Sequence, residues 1–326
     1  MKIGLIDLDG KNENIALMKL STYYKKQGAT IYLNDVPINC DKVFISVLYS
    51  WNRSRAKKIA SMYDEVDIGG PGWDKNKTLP KEVADCKPDY NLYTFEDVFP
   101  RIKGIMTNKT RKRKAKEIVK AGIGFTSRGC VRDCGFCIVP AKEGQFRQTN
   151  EIKDLINPKS NLITLLDNNF TADPYMIEKC KEIKERDLVV DICQGIDIRL
   201  LTDKKAKALS EIKHHRSIHY AWDLIEHEDM IMRGIKILSK YIKRYKHMCF
   251  MLVGYNTTFE QDMYRFKKLT EKGIDPYVMP YNKNQENDRR IHHFKRWVNG
   301  RIYKKCTFEN YKPWIKERKQ KSLFAS

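Results

Sequence analysis

The sequence predicts an α/β protein: a small N-terminal doubly wound parallel sheet, then a partial (β/α)6 barrel of the TIM type. Three observations carry this. Short apolar runs alternate with helical patterns over the first seventy residues. The same alternation resumes at Gly122 and continues for about six units. Between and after these blocks the chain turns basic and irregular, so the expected domains are 1–80, a connector over 81–121, a barrel over 122–282 and a C-terminal extension over 283–326.

In the first block KIGLIDL reads as a buried strand, and IALMKLSTYYKKQG as a helix that stops on Gly28. ATIYL, DKVFISVL and EVDIGG read as further strands, with SRAKKIASMY a helix before the last. Strand ends in such a sheet form a crevice, and Gly69, Gly70, Pro71, Gly72 and Trp73 predict a rigid, close-approach loop there. Pro80, Pro88 and Pro100 break up the connector before the basic run KTRKRKAKEIVK. From Gly122 the strands are IGFTS, NLITLLD, LVVDICQGIDIR, SIHYAWD, HMCFMLVGY and DPYVMPY. Helices are expected near 150–156, 174–186, 203–212, 229–245 and 258–272.

The chain has 326 residues, of which 41% are apolar, enough for a sizeable core. No apolar run reaches the length of a membrane span, and MKIGLIDLDG lacks the pattern of a signal peptide. A soluble, cytoplasmic protein is expected. Lys and Arg number 62 against 41 Asp and Glu, a net charge of +21. Residues 109–120 hold seven basic side chains against one Glu. The segment from Lys283 holds thirteen basic and four acidic residues, interleaved with Phe294, Trp297, Tyr303, Phe308, Tyr311 and Trp314. Cations among aromatics suit phosphate contact and base stacking; the competing reading is a lysine-rich surface with aromatics packed beneath it.

Residues 124–140, GFTSRGCVRDCGFCIVP, place Cys130, Cys134 and Cys137 as CxxxCxxC. No fourth Cys or His stands nearby. Cubane iron–sulfur clusters normally take four thiolates, so three leave one iron open for a ligand. A structural zinc site needs four ligands, usually as two separated pairs, and no second pair exists here. Arg128, Arg132 and the loop amides are expected to offset a cluster's negative charge. Cys40, Cys86, Cys180, Cys193, Cys249 and Cys306 stand alone and read as small apolar residues. The histidines, including His214, His215, His219, His292 and His293, have no ligand spacing with the thiols.

This cysteine loop, with Phe136 before its last cysteine and the first barrel strand before it, resembles the radical SAM superfamily over roughly Gly122 to Tyr281. The resemblance implies a [4Fe-4S] cluster, S-adenosylmethionine at its open iron, and a 5′-deoxyadenosyl radical that abstracts hydrogen from a substrate. It also implies an electron donor such as flavodoxin or ferredoxin. By the same resemblance Phe136 lies near the adenine. Asp167 and Asn168, ending the second strand, accept from the methionine amino group in place of the superfamily's glycine-rich motif. Gln194, Asp197 and Arg199 alternate with apolar neighbours on the third strand, and Arg199 suits the methionine carboxylate. Asp223 in AWD faces the ribose, Val253 and Gly254 pack on the adenine, and Met279 and Tyr281 lie near the base.

The whole chain also resembles a bacterial and phage subgroup that shares the CQGIDIRLL, AWD and DPYVMPY stretches. Its N-terminal domain is similar to cobalamin-binding domains. Those domains carry DxHxxG, whereas IDLDGKNEN has no histidine and none precedes residue 214, which argues against bound cobalamin. The expected function is radical SAM modification of a nucleic acid, a tRNA or DNA base. The alternatives are a peptide or small-metabolite substrate, or a zinc-stabilised nucleic-acid-binding protein.

Overall fold

Four strands open the chain: β1 (Lys2–Asp7), β2 (Thr30–Leu33), β3 (Lys42–Ser46) and β4 (Val66–Gly69). They form one parallel sheet in the order β2-β1-β3-β4. The runs IGLID and VFIS are buried almost throughout because a central parallel strand is covered on both faces. This is a computed structural model, and it describes residues 1–104, 106–282, 284 and 287–312. The helix Ile15–Lys26 begins where Asn14 accepts from the Leu17 amide at 3.2 Å, and Gly28 follows it at φ 77°.

The strand order reverses between β1 and β3, which opens a crevice at their C-terminal ends. Carboxylates there are satisfied from within. Asp7 accepts from Tyr93 Oη at 2.8 Å and from Arg101 at 2.5 Å. Asp9 accepts from the Leu48 and Tyr49 amides and from Asn52 Nδ2, at 2.8, 3.0 and 2.8 Å. The Gly70–Gly72 turn passes so close to β3 that a Cβ on Gly72 would lie 2.5 Å from the Tyr49 nitrogen.

The chain divides into two compact units, Met1–Ile218 and His219–Ser326. Residues 81–121, read from the sequence as a connector, are part of the first unit's core. Val83, Leu92, Tyr93, Val98, Ile102 and Ala115 pack in one cluster with Ile3, Leu5, Leu17 and Ile123. The basic run forms the helix Asn108–Lys120, capped by Thr107 and burying only Ala115.

Still in the first unit, β5 (Gly122–Gly124) leads into a small antiparallel pair, β6 (Ser127–Arg128) and β7 (Arg147–Gln148). β8 (Leu162–Leu165), β9 (Val189–Ile192) and β10 (Lys213–His214) then join β5 in a parallel sheet of order β10-β9-β8-β5. The helix expected at 150–156 is one 3-10 turn, Ile152–Leu155. The third strand stops at Ile192, and CQGIDIR continues as a turn with Asp197 capping Ile198–Leu200. Period-two alternation therefore does not govern Gln194, Asp197 and Arg199.

β11 (Ile218–Ala221), β12 (His247–Val253) and β13 (Asp275–Pro280) form a separate three-stranded sheet. β12 and β13 run parallel, from Met248 opposite Asp275 to Val253 opposite Pro280. The helices Glu228–Leu238, Phe259–Glu271 and Arg289–Asn299 belong to this second unit. In place of the expected barrel there are a four-stranded parallel sheet and a three-stranded sheet, and the described residues contain no closed sheet. β10 has two residues, and Arg216 at φ 77° turns the chain before β11.

The C-terminal aromatics go inward. Phe294 is wholly buried and Trp297 nearly so, and with Phe259, Phe266, Tyr303 and Phe308 they make one ring cluster. Ile291, Phe294, Trp297 and Val298 lie on one face of their helix, so burial decides their direction. For Phe294 and Trp297 this is the second of the two readings, aromatics packed beneath a basic surface. Lys283 and residues 313–326, with Trp314, lie outside the described residues.

Candidate metal and cofactor site

The cysteines sit on residues 129–146, the loop that β6 and β7 close at its base. Gly129 starts it at φ 79°, where a Cβ would lie 2.1 Å from the Gln145 carbonyl oxygen, so only glycine fits. The Cys130 amide donates to Gly144 O at 3.4 Å, and the Cys137 amide to Cys134 O at 2.8 Å. Each sulfur meets a donor. Cys130 Sγ accepts from the Arg132 amide at 3.4 Å and from Asn169 Nδ2 at 3.5 Å. Cys137 Sγ accepts from the Val139 amide at 3.4 Å, and Cys134 is hydrogen-bonded to Arg199. Burial pushes the Cys134 thiol up, and Cys137 and Cys130 add to this; the Arg199 charge pulls the other way without offsetting them.

In kind, three thiols with N–H donors on their sulfurs fit a thiolate-ligated cluster. In arrangement, no group of three His, Cys, Asp or Glu among the described residues is gathered as a metal site. Cys130 and Cys134 are half-buried and Cys137 is exposed, so the trio opens to solvent on one side.

The charges around the loop are paired. Arg132 Nε lies 2.9 Å from Asp197 Oδ2, and Arg199 grips the same carboxylate through Nε at 2.7 Å and Nη2 at 3.0 Å. Burial would push the Asp197 carboxyl up, but hydrogen bonds and charges from Arg199 and Arg132 outweigh it and hold the group low. Arg128 pairs with Glu143 at 3.0 Å and lies over the Phe125 ring. Arg132 and Arg199 share the single Asp197 carboxylate, and Arg128 shares Glu143 with Lys142 and Arg147, so these pairs leave a positive excess beside the loop. Arg199, expected to take a ligand carboxylate, makes its bidentate contact with Asp197.

Asp167 and Asn168 also turn inward. Asp167 is fully buried and accepts from the Thr126 amide at 2.6 Å, the Thr126 hydroxyl and the Ser127 amide at 3.2 Å. Burial raises its carboxyl, more than these bonds and Lys179 lower it. Asn168 Oδ1 accepts from the Gly129 amide at 3.0 Å. Both residues fix the loop's entry. Gln194 is exposed and turns its amide toward Cys193 Sγ at 3.8 Å. Phe136 is half-buried within the loop.

Two contributors were missed in this unit. Asn169 reaches Cys130, and the run DNNF signalled it through a third polar residue after LITLL. Lys179 is buried and donates to Asp173, to Thr126 Oγ1 at 2.9 Å and to Gln148 Oε1 at 2.8 Å. Its signal was a lysine on the apolar face of Met176, Cys180 and Ile183.

The remaining predicted contacts lie in the second unit. Asp223 accepts from the Leu252 amide at 3.2 Å. Val253 is buried, and Gly254 turns at φ 76°. The Tyr281 amide donates to Val253 O at 3.1 Å, and its ring meets Tyr255 edge-on. Met279 and Tyr281 are exposed by 39% and 38%, enough to contact a ligand. Arg265 was not foreseen. It is wholly buried and donates to the carbonyls of Trp222, Asp223 and Leu252 at 2.5, 2.8 and 2.6 Å, tying together the ends of β11 and β12.

No protein-family model matches the chain, and no curated protein matches it. Among solved structures it is similar to Streptococcus suis SuiB bound to the precursor peptide SuiA, at 13% identity and a TM-score of 0.40, over 65% of this chain and 55% of that one. It is also similar to Streptococcus suis SuiB bound to S-adenosylmethionine, at 13% identity and a TM-score of 0.39, over 64% of this chain and 57% of that one. The chain thus spans little more than half the length of that protein. No helix among the described residues is long and apolar enough to cross a membrane.

Proposed function

We propose that the protein is an enzyme of the radical SAM type, in which Cys130, Cys134 and Cys137 hold a [4Fe-4S] cluster and S-adenosylmethionine takes the remaining iron. One observation carries the reading: three thiols on a single loop, each sulfur met by an N–H donor. When bound, such a cluster supplies the electron that splits the sulfonium. The chain's own residues position the ligands. Asp197 holds Arg199 against Cys134, Asn169 reaches Cys130, and Asp167 and Lys179 fix Thr126 at the loop's entry. Under this reading Asp223, Gly254, Met279 and Tyr281 of the second unit are nucleoside contacts, as the sequence resemblance implies.

The test is anaerobic reconstitution of the full chain. Uptake of about four irons and formation of 5′-deoxyadenosine support the reading. A colourless protein with one zinc favours a structural metal and overturns it.

For the substrate, the helix Asn108–Lys120 and the net charge of +21 support a nucleic acid. A peptide or small metabolite is the second reading, because the buried Phe294 and Trp297 remove two of the stacking groups that favoured a base. Tight, nuclease-sensitive association decides between them.

A further inference from the structure

The helix Asn108–Lys120 forms one wall of a groove of about 800 Å³, with Ser160 and Leu162 also lining it. Its cations are not equivalent. Arg111 is spent inside, its guanidinium over the Phe99 ring and its Nε on the Ile102 carbonyl at 3.1 Å. Lys109, Lys112, Lys116 and Lys120 all line the groove, are exposed and have no ion-pair partner among the described residues. Their spacing of three, four and four residues puts them in one stripe. At 1.5 Å per residue the stripe is roughly 16 Å long, about five nucleotide steps of duplex. The lining's one carboxylate, Glu117, is already held by Arg216 at 2.7 Å and Arg113 at 3.6 Å.

We propose that this lysine stripe docks the phosphodiester backbone of a base-paired nucleic acid. None of the lining residues is aromatic, so the groove offers charge without stacking, which suits duplex backbone over single strands. The helix ends as β5 begins, and the cysteine loop leaves the other end of β5. This deepens the substrate half of the proposed function, yet backbone docking is measured without any cluster chemistry.

The experiment is fluorescence anisotropy of the full chain with a labelled 20-base-pair RNA duplex and the matching DNA duplex, across a salt series. Two double variants lose equal charge: Lys112→Gln with Lys116→Gln in the groove, and Lys57→Gln with Lys58→Gln on an exposed helix elsewhere. The groove pair should weaken duplex binding about tenfold and lower the salt slope by about two, while the control pair stays within about twofold. The tighter of the RNA and DNA arms names the source. Equal losses in both variants overturn the proposal, as does polyglutamate that competes as well as duplex. Iron uptake unchanged in the groove variant separates this outcome from failure of the cluster reading.

Discussion

The cysteine loop and the C-terminal helix were both read as ligand-facing, and they resolve in opposite ways. Around Cys130, Cys134 and Cys137 the charged side chains pair with one another, Arg132 and Arg199 on Asp197 and Arg128 on Glu143, while the thiols stay near the surface. On Arg289–Asn299 the cations point out and Phe294 and Trp297 go in. A large ring gains far more from burial than from waiting in water for a base. A thiol gains little, so the loop's polar network decides where it stands. Residue type alone does not tell the two apart; helical periodicity and available partners do.

That contrast is open to direct attack. The largest effect is expected at Cys134→Ala, which should reduce reconstituted iron from about four per chain to near zero and abolish 5′-deoxyadenosine, with the melting temperature of the metal-free chain little changed. Phe294→Ala should do the reverse. It opens a cavity in the ring cluster, costs about 3–5 kcal/mol in urea unfolding, and leaves iron uptake intact in the folded fraction. Should Phe294→Ala spare stability and weaken nucleic-acid binding, the inward reading of this helix fails.

Asp197→Asn lies between the two. It leaves Arg132 and Arg199 without their shared carboxylate and should cost about 2–3 kcal/mol, with slower iron uptake measured by absorbance during reconstitution. Retained stability would mean that the arginines find other partners.

A pH-dependent effect concerns Glu13, which is buried with Oε1 lacking a hydrogen-bond partner. Burial pushes its carboxyl up to about 8, against a lesser pull from Lys159. Between its ordinary value and about 8 the folded chain keeps a proton that the unfolded chain has lost, so stability falls as pH rises through that window. The slope is at most about 1.4 kcal/mol per pH unit. Glu13→Gln should flatten this decline in thermal melts from pH 5 to pH 8. A slope unchanged by the substitution would place the titration elsewhere.

Local pattern carried most of the fold. IGLID, VFIS and HMCFMLV are apolar runs that became β1, β3 and β12, and the capped helices at Ile15 and Phe259 start within two residues of their expected positions. What escaped depends on long-range pairing. Nothing local in CQGIDIR says that the strand ends at Ile192, since Gly195 and Asp197 turn the chain there to meet Arg132, distant in sequence. Nor does a string of lysines and arginines tell which cations are spent; Arg111 and Lys112 are neighbours with opposite fates. At the site, the thiol triplet was legible and its supports were not. Asp167 and Asn168 hold Thr126, Ser127 and Gly129, and Arg199 holds Asp197, partners that no local pattern announces.

Arg265 acts as a yoke. One guanidinium harnesses the carbonyl tips of β11 and β12 to the helix behind them, so any tilt of Phe259–Glu271 must drag both strand ends in concert. Whatever lodges beside Asp223 and Gly254 therefore meets a frame that shifts as a single piece.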